Sequence, residues 1–248
     1  MPRQARRKSK TGIYHVILRG INRQIIFEDE EDNDKAIETL SKYKEICGYR
    51  LYAYCLMGNH IHLLLKTEKD DIDLVIKRIA GSYVYWYNLK YRRIGPLFQD
   101  RYKSETIEND RYLLAVLRYI HQNPQKAGLC KELSDYKYSS YGDYIKCESR
   151  LLDLGFIYSL VDKESFVAFS KGNYETECLD VMDSGFRIND GDAMAIIRKV
   201  SKCSSTAEFQ QLEVGRRDFY IRELKAEGLS IRQISRLTGI SFGKVRKL

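Results

Sequence analysis

The chain has 248 residues, 44% of them hydrophobic; that length holds one large domain, or a domain of roughly 150 residues with a small appendage. No apolar run approaches the roughly 18 residues that a membrane-crossing helix needs, and the six cysteines include no C-x-x-C pair, which argues against a zinc site or a secreted disulfide framework and reads as reduced thiols. The formal net charge of +8 is concentrated at the two ends, which makes nucleic acid the natural partner.

Residues 1–10 carry Arg3, Arg6, Arg7, Lys8 and Lys10 and no acid. The following TGIYHVILRG is too broken by polar residues to act as a signal-peptide apolar region, so a cytoplasmic protein is expected. Alternation in Ile13-Tyr14-His15-Val16-Ile17-Leu18 predicts a strand that Gly20 ends. The acidic run Glu28 to Asp34 reads as a helix start, because carboxylates favour the positive end of the helix dipole. It leads into Ala36, Ile37, Leu40 and Tyr43 at helical spacing. Arg50 to Met57 and His60 to Lys66 are two strands joined through Gly58-Asn59, a two-residue hairpin connection. A long helix runs from Leu74 to about Tyr91 and breaks before Gly95-Pro96. Phe98 to Ile107 reads as a further strand, and Asn109 or Asp110 can cap a helix that runs to Asn123. The order β-α-β-β-α-β-α begins with the split βαβ arrangement of ferredoxin-like domains, an α+β fold with an antiparallel sheet covered by helices on one face. Residues 1–145 form this domain. Residues 146–214 form a mostly helical connector, acidic because residues 151–214 hold eleven acids against six bases. Residues 215–248, with nine basic side chains against three acidic, form a separate segment.

Two constellations could carry chemistry. On a strand, side chains two apart share a face, so His60 and His62 stand together while Ile61, Leu63 and Leu65 turn to the other side. Two neutral imidazoles side by side can bind one divalent ion. In the helix Arg111 to Asn123, Leu113, Val116, Leu117 and Ile120 form a buried stripe, and Tyr119 and Asn123, one turn apart, lie at its edge. Pro124 disfavours helical geometry at Asn123 and predicts a frayed or kinked end there.

The segments YHVILRGINRQIIF, YCLMGNHIHLLL, GPLFQDRYKS and RYIHQNPQKAGL, followed by DYKYSSYGDY, together resemble the REP-associated tyrosine transposases, members of the HUH single-tyrosine superfamily; the likeness spans roughly residues 10–145. The resemblance implies that His60 and His62 are metal ligands, that Tyr119 is the nucleophile, and that a polar residue one turn later, Asn123 or else Gln122, completes the metal site. It also implies single-stranded DNA beside a hairpin as substrate, cut through a 5′-phosphotyrosine link and rejoined by the freed 3′-hydroxyl. Two imidazoles and an amide suit a labile Mg²⁺ or Mn²⁺ site better than a tight zinc site. Each step exchanges one phosphodiester for another, so no nucleotide cofactor is required.

Arg92, Arg93, Arg101 and Lys103 could hold phosphates, and Tyr83, Tyr85, Trp86 and Tyr87 could stack on unpaired bases, although four consecutive helical positions cannot share one face and at least half of those aromatics belong to the core. Near the C-terminus, Ser230 can cap a helix, Gly239 marks a turn, and Ile240 and Val245 anchor a second helix bearing Lys244, Arg246 and Lys247. That stretch resembles a helix-turn-helix. A nicking and rejoining enzyme is therefore expected, its rival being a non-catalytic DNA-binding regulator on the same scaffold. A metal-dependent hydrolase of small molecules fits the basic ends less well, and pairing with a second copy is left open.

Overall fold

The computed structural model describes residues 7–99, 101–172, 178–179 and 190–248; Arg3 and Arg6 of the basic N-terminus lie outside them. The chain divides into two compact units, Met1–Val181 and Met182–Leu248. The expected connector over residues 146–214 is thus not a separate element. Its early helices pack on the first core, and its later ones supply apolar side chains to the second.

In the first unit β1 (Ile13–Arg19), α1 (Glu30–Cys47), β2 (Arg50–Met57), β3 (His60–Lys66), α2 (Ile72–Lys90), β4 (Lys103–Ile107) and α3 (Asp110–Lys126) follow the order expected from the sequence. The four strands lie in the order β2-β3-β1-β4, each antiparallel to its neighbour. β4 is shorter than the predicted Phe98–Ile107 strand: Phe98 makes only an isolated bridge to Gly20, and the regular ladder begins at Lys103.

The acidic run does start a helix. Asp29 is the N-cap of α1, accepting from the Asp32 amide at 3.1 Å, while the Asp32 carboxylate accepts back from the Asp29 amide. Lys90, at the end of α2, reaches Asp29 and Asp32 at 2.7 and 2.8 Å and ties the two helices together. Gly48 stops α1 in the left-handed conformation, φ 63°, which costs glycine nothing.

Helices cover both faces of the sheet, not one. Leu18, Ile61 and Leu63 meet Ala36 and Leu40 of α1 and Ile79 and Tyr83 of α2 on one side. α3 lies across β2, β3 and β4 on the other. Its Leu113, Val116, Leu117 and Ile120 are all fully buried, each contributing roughly 1.5–3 kcal/mol of hydrophobic stabilisation. Two-sided burial explains why β2 reads RLYAYCLM, nearly continuous in apolar residues rather than alternating. α3 also runs through Pro124 to Lys126 instead of ending at Asn123, with the Ala127 amide bonded to the Asn123 carbonyl at 3.0 Å. Buried contacts on the Pro124 side outweigh the local preference of the residue before a proline.

After α3 come α4 (Tyr141–Lys146), α5 (Leu154–Tyr158) and α6 (Phe166–Lys171). Phe166 stacks on Tyr144 with centroids 4.6 Å apart, which fastens α6 to the first core. The second unit holds α7 (Asp190–Ser201), α8 (Thr206–Gln211), α9 (Val214–Ala226), α10 (Ile231–Thr238) and α11 (Phe242–Lys247). Its own core joins Ala193, Ile197, Phe209, Ile221, Leu224, Ile234 and Val245. Ser230 caps α10 through the Gln233 amide at 3.2 Å, and Gly239 ends it with φ 69°. No described helix is long and apolar enough to cross a membrane.

Candidate active site

The β2–β3 hairpin sets the histidine pair. Its tip is fixed from outside: the Gly58 carbonyl accepts from the Ile26 amide at 2.8 Å, and the Asn59 carbonyl from the Gly20 amide at 2.8 Å. A Cβ at Gly20 would run into the Gln24 carbonyl, so only glycine permits this close approach. From that tip His60 and His62 project to the α3 side of the sheet, with ring centroids 4.8 Å apart.

Register brings further residues to the same face, because directly paired residues of neighbouring strands point the same way. Ile17 of β1 stands opposite His62, and Arg19 opposite His60. His15, two residues earlier, pairs with Glu105 of β4. His15 Nε2 lies 3.0 Å from His62 Nδ1, and His15 Nδ1 lies 2.8 Å from Glu105 Oε1. The second Glu105 oxygen accepts from the Tyr112 hydroxyl of α3 at 2.8 Å. His60 Nδ1 is 2.6 Å from Asn59 Oδ1.

Tyr119 arrives from α3. Its ring centroid is 5.7 Å from that of His62 and 5.9 Å from that of His15, both in edge arrangements. The predicted nucleophile is therefore a neighbour of His62, one of the two predicted imidazole ligands. Asn123, one turn on, is half-buried. Gln122, the alternative third ligand, spends its amide nitrogen on the carbonyls of Ser170 and Gly172, at 2.9 and 3.0 Å.

The electrostatics favour a neutral His62. Burial, then the neighbouring His60 and His15, push the His62 base well below the usual imidazole range. Burial would raise the Glu105 carboxyl, but hydrogen bonding and charge from His15, with the Tyr112 hydroxyl and the Leu179 amide, hold it below the ordinary carboxylate range. His62 Nε2 is buried and has no hydrogen-bond partner among the described residues. An unpartnered imidazole nitrogen beside a second imidazole is a donor set that fits a divalent cation. Among the described residues, histidine, cysteine and carboxylate side chains form no cluster of three or more arranged to hold a metal ion.

The phosphate-binding candidates separate. Arg92, Arg101 and Lys103 are exposed, and Lys103 pairs with Ile17 and so lies on the histidine face. Arg93 is half-buried, 5.5 Å over the Tyr87 ring and 3.3 Å from Gln24. In the second unit Arg246 is exposed, whereas Lys244 faces Asp218 at 3.4 Å. Of the α2 aromatics, Tyr83 and Tyr87 are core residues whose hydroxyls bond the Ile26 and Ile25 carbonyls; Trp86 is half-buried, and Tyr85, 70% exposed, is open to solvent.

Sequence reading missed His15 and Glu105. Each sits on a strand whose alternation was visible at position 15 and weak at position 105, but the 90 residues between them conceal their pairing.

Comparison with other proteins gives a consistent result. Residues 8–123 match the family described as IS200-like transposases. The chain is 29% identical over 126 residues to a protein of Haemophilus influenzae described as a REP-associated tyrosine transposase, the match covering 45% of this chain and 71% of that one. A solved structure of a REP-associated tyrosine transposase bound to a REP hairpin is similar in fold, with a TM-score of 0.52 at 18% identity, over 76% of this chain and 99% of the other.

Proposed function

We propose that this chain, whose residues 8–123 match the family of IS200-like transposases, cuts and rejoins single-stranded DNA beside a hairpin, with Tyr119 as nucleophile and a divalent cation held by His60, His62 and Asn123. The observation that carries the proposal is the approach of the Tyr119 ring to the His62 ring, 5.7 Å between centroids.

A tyrosine hydroxyl is a poor nucleophile at neutral pH, since its ordinary pKa is about 10. A bound Mg²⁺ or Mn²⁺ would supply polarisation of a non-bridging phosphate oxygen. The Tyr119 oxygen attacks the phosphorus and loses its proton to solvent; the bond to the 3′-oxygen breaks, and that oxygen takes up a proton. The products are a 5′-phosphotyrosine and a free 3′-hydroxyl. In the reverse direction a 3′-hydroxyl attacks the same phosphorus and releases Tyr119, so bond energy is conserved without a nucleotide cofactor. α3 positions the phenol, and the hairpin positions the imidazoles.

DNA as partner is supported by the REP hairpin in the similar solved structure and by Lys103 on the histidine face, with the exposed Arg92 and Arg101 as further phosphate contacts. On the same reading the first unit is a ferredoxin-like split βαβ sheet. In the second, α10 and α11 form a helix-turn-helix, which the Ser230 cap, the Gly239 turn and the buried Ile240 and Val245 support; Lys244 and Arg246 would meet DNA phosphates there.

Incubation with a single-stranded hairpin oligonucleotide and Mn²⁺ is expected to give a covalent adduct on a denaturing gel. Tyr119→Phe and His62→Ala should both abolish it, and a chelator should do the same to the unsubstituted protein. An adduct that persists in Tyr119→Phe would remove Tyr119 from its role.

A further inference from the structure

His62 ends a chain of hydrogen bonds that starts on β4 and α3. Tyr112 donates to Glu105 Oε2, and Glu105 Oε1 faces His15 Nδ1, each at 2.8 Å; His15 Nε2 then meets His62 Nδ1 at 3.0 Å. The polarity of this chain follows from its first member, because an ionised carboxylate only accepts. His15 Nδ1 therefore carries a hydrogen. A neutral imidazole has one hydrogen; on His15 the contact with Glu105 takes it at Nδ1, so Nε2 accepts and His62 donates from Nδ1. The lone pair of His62 is then left on Nε2, the buried nitrogen that has no hydrogen-bond partner among the described residues. A buried lone pair without a partner carries the desolvation cost of a polar atom. A ligand that accepts electron density from nitrogen removes that cost.

The same carboxylate reaches the other half of the site. Tyr112 and Tyr119 are seven residues apart on α3, two turns of helix on one side of it. One side chain, Glu105, thus sets the histidine relay through Oε1 and holds the nucleophile's helix through Oε2. Each of these partners comes from a different element: β1, β3, β4 and α3.

We propose that Glu105 and His15 are positioning residues that fix His62 as its Nδ1–H tautomer, leaving the Nε2 lone pair for a divalent cation, and that Tyr112 ties the same carboxylate to the helix bearing Tyr119. This rests on the assignment of His62 as a metal ligand made above. Outer hydrogen-bond partners of ligating imidazoles tune metal affinity by 10–100-fold in general.

Two measurements on the full chain test it. In metal-free protein labelled with ¹⁵N-histidine, long-range proton–nitrogen NMR reads which nitrogen of each ring is protonated. His62 is expected with hydrogen on Nδ1, and hydrogen on Nε2 overturns the relay. Mn²⁺ binding, followed by the paramagnetic resonance of free Mn²⁺ without DNA, is expected to weaken about 10–100-fold in His15→Phe, which keeps a ring but no nitrogen. His15→Gln has an amide that can donate to Glu105 and accept from His62, and it should restore most of the affinity. Unchanged Mn²⁺ affinity in His15→Phe overturns the proposal. His62→Ala separates the two readings: if it binds Mn²⁺ normally, the metal site itself is misassigned, whereas loss there with none in His15→Phe removes only the relay. Should His15→Phe fail to fold, the tautomer of the unsubstituted protein still decides.

Discussion

Acidification should weaken the first unit, and one buried imidazole contributes a share that can be isolated. His121 is fully buried on α3, with Nε2 2.8 Å from the Ser140 hydroxyl, and that oxygen also accepts the Tyr54 amide at 3.0 Å. Burial pushes its base from the ordinary 6.5 down to about 3. Between those two values the unfolded chain binds a proton that the folded chain refuses. Stability is therefore fully present above the unfolded pKa and falls below it by about 1.4 kcal/mol per pH unit. From about pH 7 to about pH 5 the loss from His121 alone comes to roughly 2 kcal/mol. Trp86, the sole tryptophan, lies on α2, so its fluorescence in a urea titration reports on the first unit. His121→Gln has no titrating group, yet its amide can still reach Ser140. It should lose roughly 2 kcal/mol less than the unsubstituted protein over the same pH interval. His62, whose base is also depressed, contributes to both proteins and cancels in the difference. Equal losses in the two proteins would refute the argument.

Lys103→Ala should weaken hairpin binding about equally for all sequences and reduce the slope of log affinity against log salt by about one, as loss of a single phosphate contact requires; an unchanged slope in a salt titration would take Lys103 off the DNA path. In the second unit, Ser230→Ala removes the hydroxyl that accepts from the Gln233 amide at the start of α10, while the Ser230 backbone amide still donates to the Gln233 side chain. The cost should be about 1 kcal/mol, read from chemical unfolding followed by far-ultraviolet circular dichroism, and a transition that does not move would mean that the cap contributes nothing.

The local architecture was legible because its signals are local. Gly58-Asn59 between two apolar runs defined the hairpin to the residue, and the two-residue period put His60 and His62 on one face. The edge position of Tyr119 followed from the 3.6-residue period of α3. What stayed hidden depends on pairings between distant stretches. His15 and Glu105 become partners only when β1 is inserted between β3 and β4. The number of layers differs from expectation for a related reason: the order of elements implies helices on one face, while the unbroken apolar run Leu51 to Met57 carries the signal of cover on both sides. At Pro124 the local preference of the preceding residue yields to burial, and the helix continues to Lys126. The connector lost its separate status because Phe166 and Phe209 belong to two different cores, and sequence shows that each is apolar without showing where it goes.

The hydrogen bonds that clasp the hairpin tip have a consequence for motion. Gly20 and Ile26 belong to a segment that supplies no ligand and no nucleophile, yet their amides hold the carbonyls of Asn59 and Gly58, immediately before His60. A substitution that loosens that segment would free the tip from which His60 and His62 project, without touching α3 itself. The carbonyls just ahead of the histidine pair are thus steadied by a stretch some thirty-five residues earlier in the chain, not by the hairpin alone.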